Sequence, residues 1–97
     1  MLLGFEEYDT QARRLAATLG LPYAIVDVHH FPDGECKIAL PERLPAHVVF
    51  CRSLDRPNDK LIQLLLAAST ARQLGALRLK LVTPYLCYMR QDKAFAP

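Results

Sequence analysis

Near its C-terminus the chain carries Arg90, Gln91, Asp92 and Lys93 in consecutive positions, just after Pro84-Tyr85-Leu86-Cys87-Tyr88-Met89. A planar cation, an amide, a carboxylate and an ammonium set so closely suit a small anionic ligand with a hydrogen-bonding ring, such as a nucleotide. The cluster follows an apolar run at 79–82 that reads as a buried strand, so it lies where a strand spills into a loop. In open α/β sheets ligands bind there, outside the carboxyl ends of the strands. Spacing alone fits a merely solvated loop as well, with Tyr85 and Tyr88 as packing residues whose hydroxyls reach the surface.

A second group with chemical potential is Phe31-Pro32-Asp33-Gly34-Glu35. Pro-Asp-Gly is turn chemistry, because proline presets φ and glycine accepts a positive one. Two readings stand side by side. Phe31 packs on the core beside an ordinary hairpin turn, or it projects as a platform for a purine while Asp33 or Glu35 accepts from an exocyclic amine. His29 and His30 are adjacent, so on a strand they face opposite sides and cannot chelate one ion together. The loop 52–58 stands at a strand's carboxyl end before a helix and could meet phosphate, but Asp55 and Asp59 argue against a strong anion site. The chain has no P-loop, dinucleotide fingerprint, zinc motif or nucleophile elbow.

The elements that must position these residues follow from periodicity. Met1 to Phe5 is a short apolar start. Asp9 or Thr10 caps a helix in which Ala12, Leu15, Ala16 and Leu19 recur on one face, and Gly20 closes it in the left-handed conformation. Residues 23–28 predict one strand. After the Pro-Asp-Gly turn, Cys36, Ile38 and Leu40 alternate with polar or small residues and predict a strand folding back on it. Residues 48–51 form a compact apolar strand. Asn58 is the better cap for the long helix that follows, in which Leu61, Leu64, Leu65 and Ala68 form one stripe that Ile62 and Leu66 widen. Gly75 ends that helix, and 78–83 is the last strand. Strands alternating with helices predict an α/β fold, a mostly parallel sheet with helices on both faces and the hairpin projecting as an antiparallel flap.

At 97 residues the chain is one domain at most, near the lower limit for a single core. Hydrophobic residues make up 52%, which argues for a filled interior and leaves apolar surface for a partner. A net charge of +2 with scattered Lys and Arg gives no footprint for nucleic acid. No apolar run is long enough to span a bilayer and no signal peptide is visible, so the expectation is a cytoplasmic chain with no membrane partner. Cys36, Cys51 and Cys87 have no metal spacing and are odd in number, which fits reduced thiols.

Taken together, Phe31-Pro32-Asp33-Gly34-Glu35, Arg56-Pro57-Asn58-Asp59 before a leucine-rich helix, and Pro84-Tyr85 leading to Arg90-Gln91-Asp92-Lys93 occur in the order seen in the ribose-phosphate pyrophosphokinases. The chain resembles that family from Arg13 onward. The resemblance implies a phosphoribosyltransferase-like fold, with residues 1–97 as a truncated N-terminal domain. It implies an enzyme that moves the pyrophosphoryl group of MgATP to ribose 5-phosphate, giving phosphoribosyl pyrophosphate and AMP. Carried over by position, Arg90, Gln91 and Lys93 would contact ATP, while Phe31, Asp33 and Glu35 would form a flap holding adenine in an adjacent subunit's site. Mg2+ is the implied cofactor, its ligands lying beyond the segment, and a homo-oligomer is the implied assembly. The family's metal-binding histidine, basic catalytic loop and ribose-phosphate loop find no match here, and Ala94 stands where relatives are often basic. A fragment inactive on its own is therefore expected. The alternative is a non-catalytic regulatory or scaffold subunit of the same family.

Overall fold

The computed structural model describes residues 1–84. In chain order they form β1 (Leu2–Gly4), a 3-10 turn (Glu6–Tyr8), α1 (Asp9–Leu19), β2 (Tyr23–Ile25), β3 (Asp27–His30), β4 (Cys36–Ala39), β5 (His47–Cys51), α2 (Pro57–Gln73) and β6 (Arg78–Val82). Strands β2, β1, β5 and β6 make a sheet in that order, every pair parallel. Strands β3 and β4 pair antiparallel in a separate ribbon, with Asp27 opposite Ala39 and His30 opposite Cys36.

The sheet is covered on both faces, as side-chain alternation along a strand requires. Leu2 and Cys51 pack with Ala12 and Ala16 of α1. Leu3, Val48 and Phe50 pack on the other side with Ala67 and Ala71 of α2. Burial on two faces explains why β1 and β5 read as unbroken apolar runs instead of alternating ones. All five parallel-sheet residues named here are nearly inaccessible, the most exposed being Phe50 at 3%.

Five local expectations need correction, the first being that the last strand is not buried: in β6 only Leu79 is half-buried and the other four residues are exposed. The run 23–28 is not one strand: it leaves the parallel sheet after Ile25 and enters the ribbon at Asp27. The residue between is Val26, which is buried and donates its N–H to the Gly4 carbonyl at 2.7 Å. Asp9 is the first residue of α1 and caps nothing, since its carboxylate is taken by Tyr23 and Arg13. Asn58 is likewise inside α2, which begins with Pro57 at its first turn after Arg56 in a left-handed conformation, φ 50°. Proline is at home there because its missing N–H has no partner to lose. Finally, α2 buries the leucine stripe only in part: Leu61, Leu64 and Ala68 are half-buried, with Leu64 and Ala68 against the core, and Leu65 is exposed. The helix's buried residues are Gln63, Ala67 and Ala71, while Ile62, Leu65 and Leu66 are exposed. Small side chains let the helix approach the sheet, so the alanine face wins. Gly20, at φ 67°, closes α1 in the expected left-handed conformation.

Candidate functional site

Residues 31–35 form the loop that joins the two strands of the ribbon. The Phe31 N–H donates to the Glu35 carbonyl at 2.9 Å, and the Gly34 N–H donates to the Phe31 carbonyl at 3.1 Å. Asp33 Oδ1 accepts from the Glu35 N–H at 3.0 Å, closing the turn from inside, and Gly34 takes φ 94°. This is the Asp side chain acting as a local turn former. The Phe31 ring is 40% exposed. Its close aromatic neighbour is His29, edge-on with centroids 4.7 Å apart. Phe31 is outside both core clusters, so the core-packing reading fails. Phe31, Asp33 and Glu35 thus share one exposed loop, able to offer an aromatic face beside two carboxylates. Arg90, Gln91 and Lys93 lie outside the described residues, as do Tyr85, Cys87 and Tyr88.

Sequence reasoning missed Arg52. It follows β5 directly, is 4% exposed, and its guanidinium lies 4.0 Å over the Phe5 ring. Its Nε donates to the Glu7 carboxylate, and Nη1 donates to the Lys60 carbonyl at 3.4 Å. A buried arginine is stable only when paired in this way. The available signal was positional: an arginine after a wholly buried strand, with two carboxylates just beyond the end of the neighbouring strand. Beside it a cavity of about 200 Å³ opens at the carboxyl ends of β1, β2 and β5.

The loop 52–58 is tied down from within. Lys60 Nζ donates to the Ser53 carbonyl at 3.2 Å and to Asp55 Oδ1 at 3.0 Å. The Lys60 ammonium first, and the Ser53 side chain second, hold the Asp55 carboxyl below the usual carboxylate range. That ammonium is therefore engaged by the loop's own acceptors. On the far side of the sheet, burial pushes the Cys51 thiol up, in line with an inert core cysteine. Among the described residues no cluster of three or more His, Cys, Asp or Glu is placed to hold a metal ion, and no helix is long and apolar enough to cross a membrane.

Comparison with known proteins decides the family. The family model described as the N-terminal domain of ribose phosphate pyrophosphokinase matches residues 1–97. The chain belongs to this family. A ribose-phosphate pyrophosphokinase of Saccharolobus solfataricus is 42% identical over 83 residues, covering 84% of this chain and 28% of its own length. One from Methanopyrus kandleri is 37% identical over 86 residues, covering 88% and 30%. Among solved structures, the phosphoribosylpyrophosphate synthetase from Mycobacterium smegmatis superposes with a TM-score of 0.78 at 21% identity. That match covers all of this chain and 34% of the other. The likeness bears out the α/β fold with its mostly parallel sheet. The chain spans about a third of the length of the ribose-phosphate pyrophosphokinases it matches.

Proposed function

We propose that this chain is the nucleotide-flap part of a protein that transfers the pyrophosphoryl group of MgATP to ribose 5-phosphate, releasing AMP. The observation that carries the reading is the ribbon tip, where a phenylalanine stands exposed next to two carboxylates on a loop with no core contact to explain it. Phe31 stacks on the adenine. Glu35, exposed and with its carboxylate outside the turn's hydrogen bonds, accepts from the exocyclic amine. Asp33 shapes the turn with one oxygen and keeps the other for ligand. Arg90, Gln91 and Lys93 supply cations and an amide to the phosphates and base. The ribbon stands outside the parallel sheet and its loop stays exposed, which supports presentation of the tip to a second subunit of a homo-oligomer.

Pyrophosphoryl transfer needs positioning and neutralisation of developing charge more than a nucleophilic side chain, so arginine and lysine suit the task. Magnesium enters with the nucleotide as part of the substrate. The described residues do not fit a resident metal site. The test is product analysis on the protein that carries this domain, supplied with MgATP with and without ribose 5-phosphate. AMP release that depends on ribose 5-phosphate is expected. Release of ADP, or AMP release indifferent to the sugar phosphate, contradicts the assignment.

A further inference from the structure

The cavity beside Arg52 is not used by the activity proposed above. It lies between β3 and the carboxyl ends of β1, β2 and β5, and it is bordered by Glu6, Glu7, Asp27, His30, Arg52 and Gln63. A smaller cavity of about 100 Å³ adjoins it, sharing His30 and Gln63.

Gln63 is the decisive residue. It is 5% exposed, and its side-chain amide makes no hydrogen bond to the described residues. Every fully buried side-chain nitrogen or oxygen among those residues does have a partner. The little surface Gln63 keeps is therefore amide surface, and it opens into the cavities that the residue borders. An amide that is open only to the cavity and has no protein partner there is free to pair with a ligand or an ordered water.

The charge of the lining selects the ligand. Three carboxylates, Glu6, Glu7 and Asp27, border the cavity against one guanidinium, and Arg52 is already paired with Glu7. An anion is disfavoured. A bare metal ion lacks its ligand cluster among the described residues. A cation that brings its own N–H donors satisfies both the carboxylates and the Gln63 carbonyl oxygen. The volume of about 200 Å³ exceeds the ~30 Å³ share of a single water.

We propose that this cleft binds a small organic cation of the alkylammonium or guanidinium class. Bound there, the cation ties Asp27 at the ribbon's root and His30 next to its tip to Gln63 of α2 and Glu6 of the 3-10 turn, fixing how the flap lies against α2. The cation comes either from a free amine metabolite or from a lysine or arginine side chain of a second copy of this chain.

The inference stands apart from the ATP reading and is tested without nucleotide. The isotope-labelled chain is titrated with methylguanidinium chloride while the backbone and side-chain N–H signals are followed by NMR. Tetramethylammonium chloride, equally charged but without N–H donors, is the control. Saturable shifts of the Gln63 amide, the Arg52 Nε–H and residues 26–30 are expected with the first salt and not the second. Gln63→Met keeps the length of the side chain and should weaken the binding about tenfold, as loss of a hydrogen bond to a charged group does. Asp27→Asn, at an exposed site, gives a second variant whose folding is not in question, and it should weaken the binding by about two- to fivefold. Sedimentation separates the sources. A dimer dispersed by methylguanidinium assigns the cation to a second copy, and an unchanged mass with saturable binding assigns it to a free amine. Equal response to both salts, or shifts spread over all acidic surface residues, means a solvated cleft and overturns the proposal.

Discussion

A methyl group on Gly4 would overlap the Tyr23 hydroxyl and stand 2.9 Å from the Ala12 Cβ. Glycine is needed here for close approach: Tyr23 reaches across the end of β1 to donate to Asp9 Oδ1 at 2.6 Å. Gly4→Ala should therefore cost about 1–3 kcal/mol, the usual range for overpacking, read as a lower midpoint in denaturant. The same contact makes a pH signature. The Tyr23 hydroxyl first, and the Arg13 guanidinium second, hold the Asp9 carboxyl below its usual range. Its contribution is then fully present above the unfolded carboxyl value of about 3.9 and is lost as pH falls through the lower folded value. Tyr23→Phe removes the larger of the two causes. The stability gap between native chain and variant should narrow as acid passes through that window, and a gap constant in pH would show that the hydroxyl does not act through Asp9. Tyr23 itself, half-buried and donating to a carboxylate, is raised well above the ordinary tyrosine range, so its own contribution is lost only as pH climbs past the unfolded value of about 10. None of this was legible in the sequence, where Asp9 looks like a cap. A partner fourteen residues away competes for its carboxylate, and spacing rules that look a few residues ahead do not see it.

Among the elements, α2 shows how residue size can outweigh hydrophobicity. Leucines lie all round the helix, so the pattern of apolar residues cannot say which face is buried. Ala67 and Ala71 are at 0% exposure while Leu65 stands at 71%. Ala67→Leu should cost about 1–3 kcal/mol through overpacking, whereas Leu65→Ala should change folding stability by about 0.5 kcal/mol or less, as at other surface sites. Thermal unfolding of both variants checks the orientation, and the reverse ranking would mean that the helix is turned to bury its leucines. The apolar run 23–28 teaches the complementary lesson. Its composition announced a strand but not that Val26 would divide it between the sheet and the ribbon, because the change of partner is set by Gly4 of another strand. The turn and the returning strand of the hairpin, by contrast, were readable: Pro-Asp-Gly fixes a turn locally, and the alternation of Cys36, Ile38 and Leu40 fixes which side packs. Arg52 was hidden for the opposite reason, since a charge outside a strand reads as solvated until its carboxylate and aromatic partners converge on it.

At the scale of the molecule, a largely alternating α/β order was enough to give the parallel sheet and its two helical layers, while the apolar surface left over is a property only the packed form reveals. Phe50, Leu61, Leu64, Leu65, Leu79 and Leu81 border a trough of about 280 Å³ between α2 and β6, and Ile62 and Leu66 extend the exposed apolar area. Soluble monomers seldom leave such contiguous patches uncovered. The 97-residue chain should therefore associate in a concentration-dependent way, and Leu65→Lys should suppress it. Light scattering that finds a monomer at every concentration would contradict this.

The central claim is that the ribbon tip is a platform for a nucleotide base. It is tested most directly by measuring ATP affinity and thermal midpoint together on the Phe31→Ala variant of the protein that carries this domain. Base–aromatic stacking in nucleic-acid sites is worth about 1–3 kcal/mol by alanine substitution, so ATP affinity should fall roughly tenfold or more. The midpoint should hardly move, because the ring is 40% exposed and outside both core clusters. A core phenylalanine would instead cost about 3–5 kcal/mol of stability. A collapsed midpoint with normal ATP binding by the folded remainder, or an unchanged midpoint with unchanged affinity, would contradict the account.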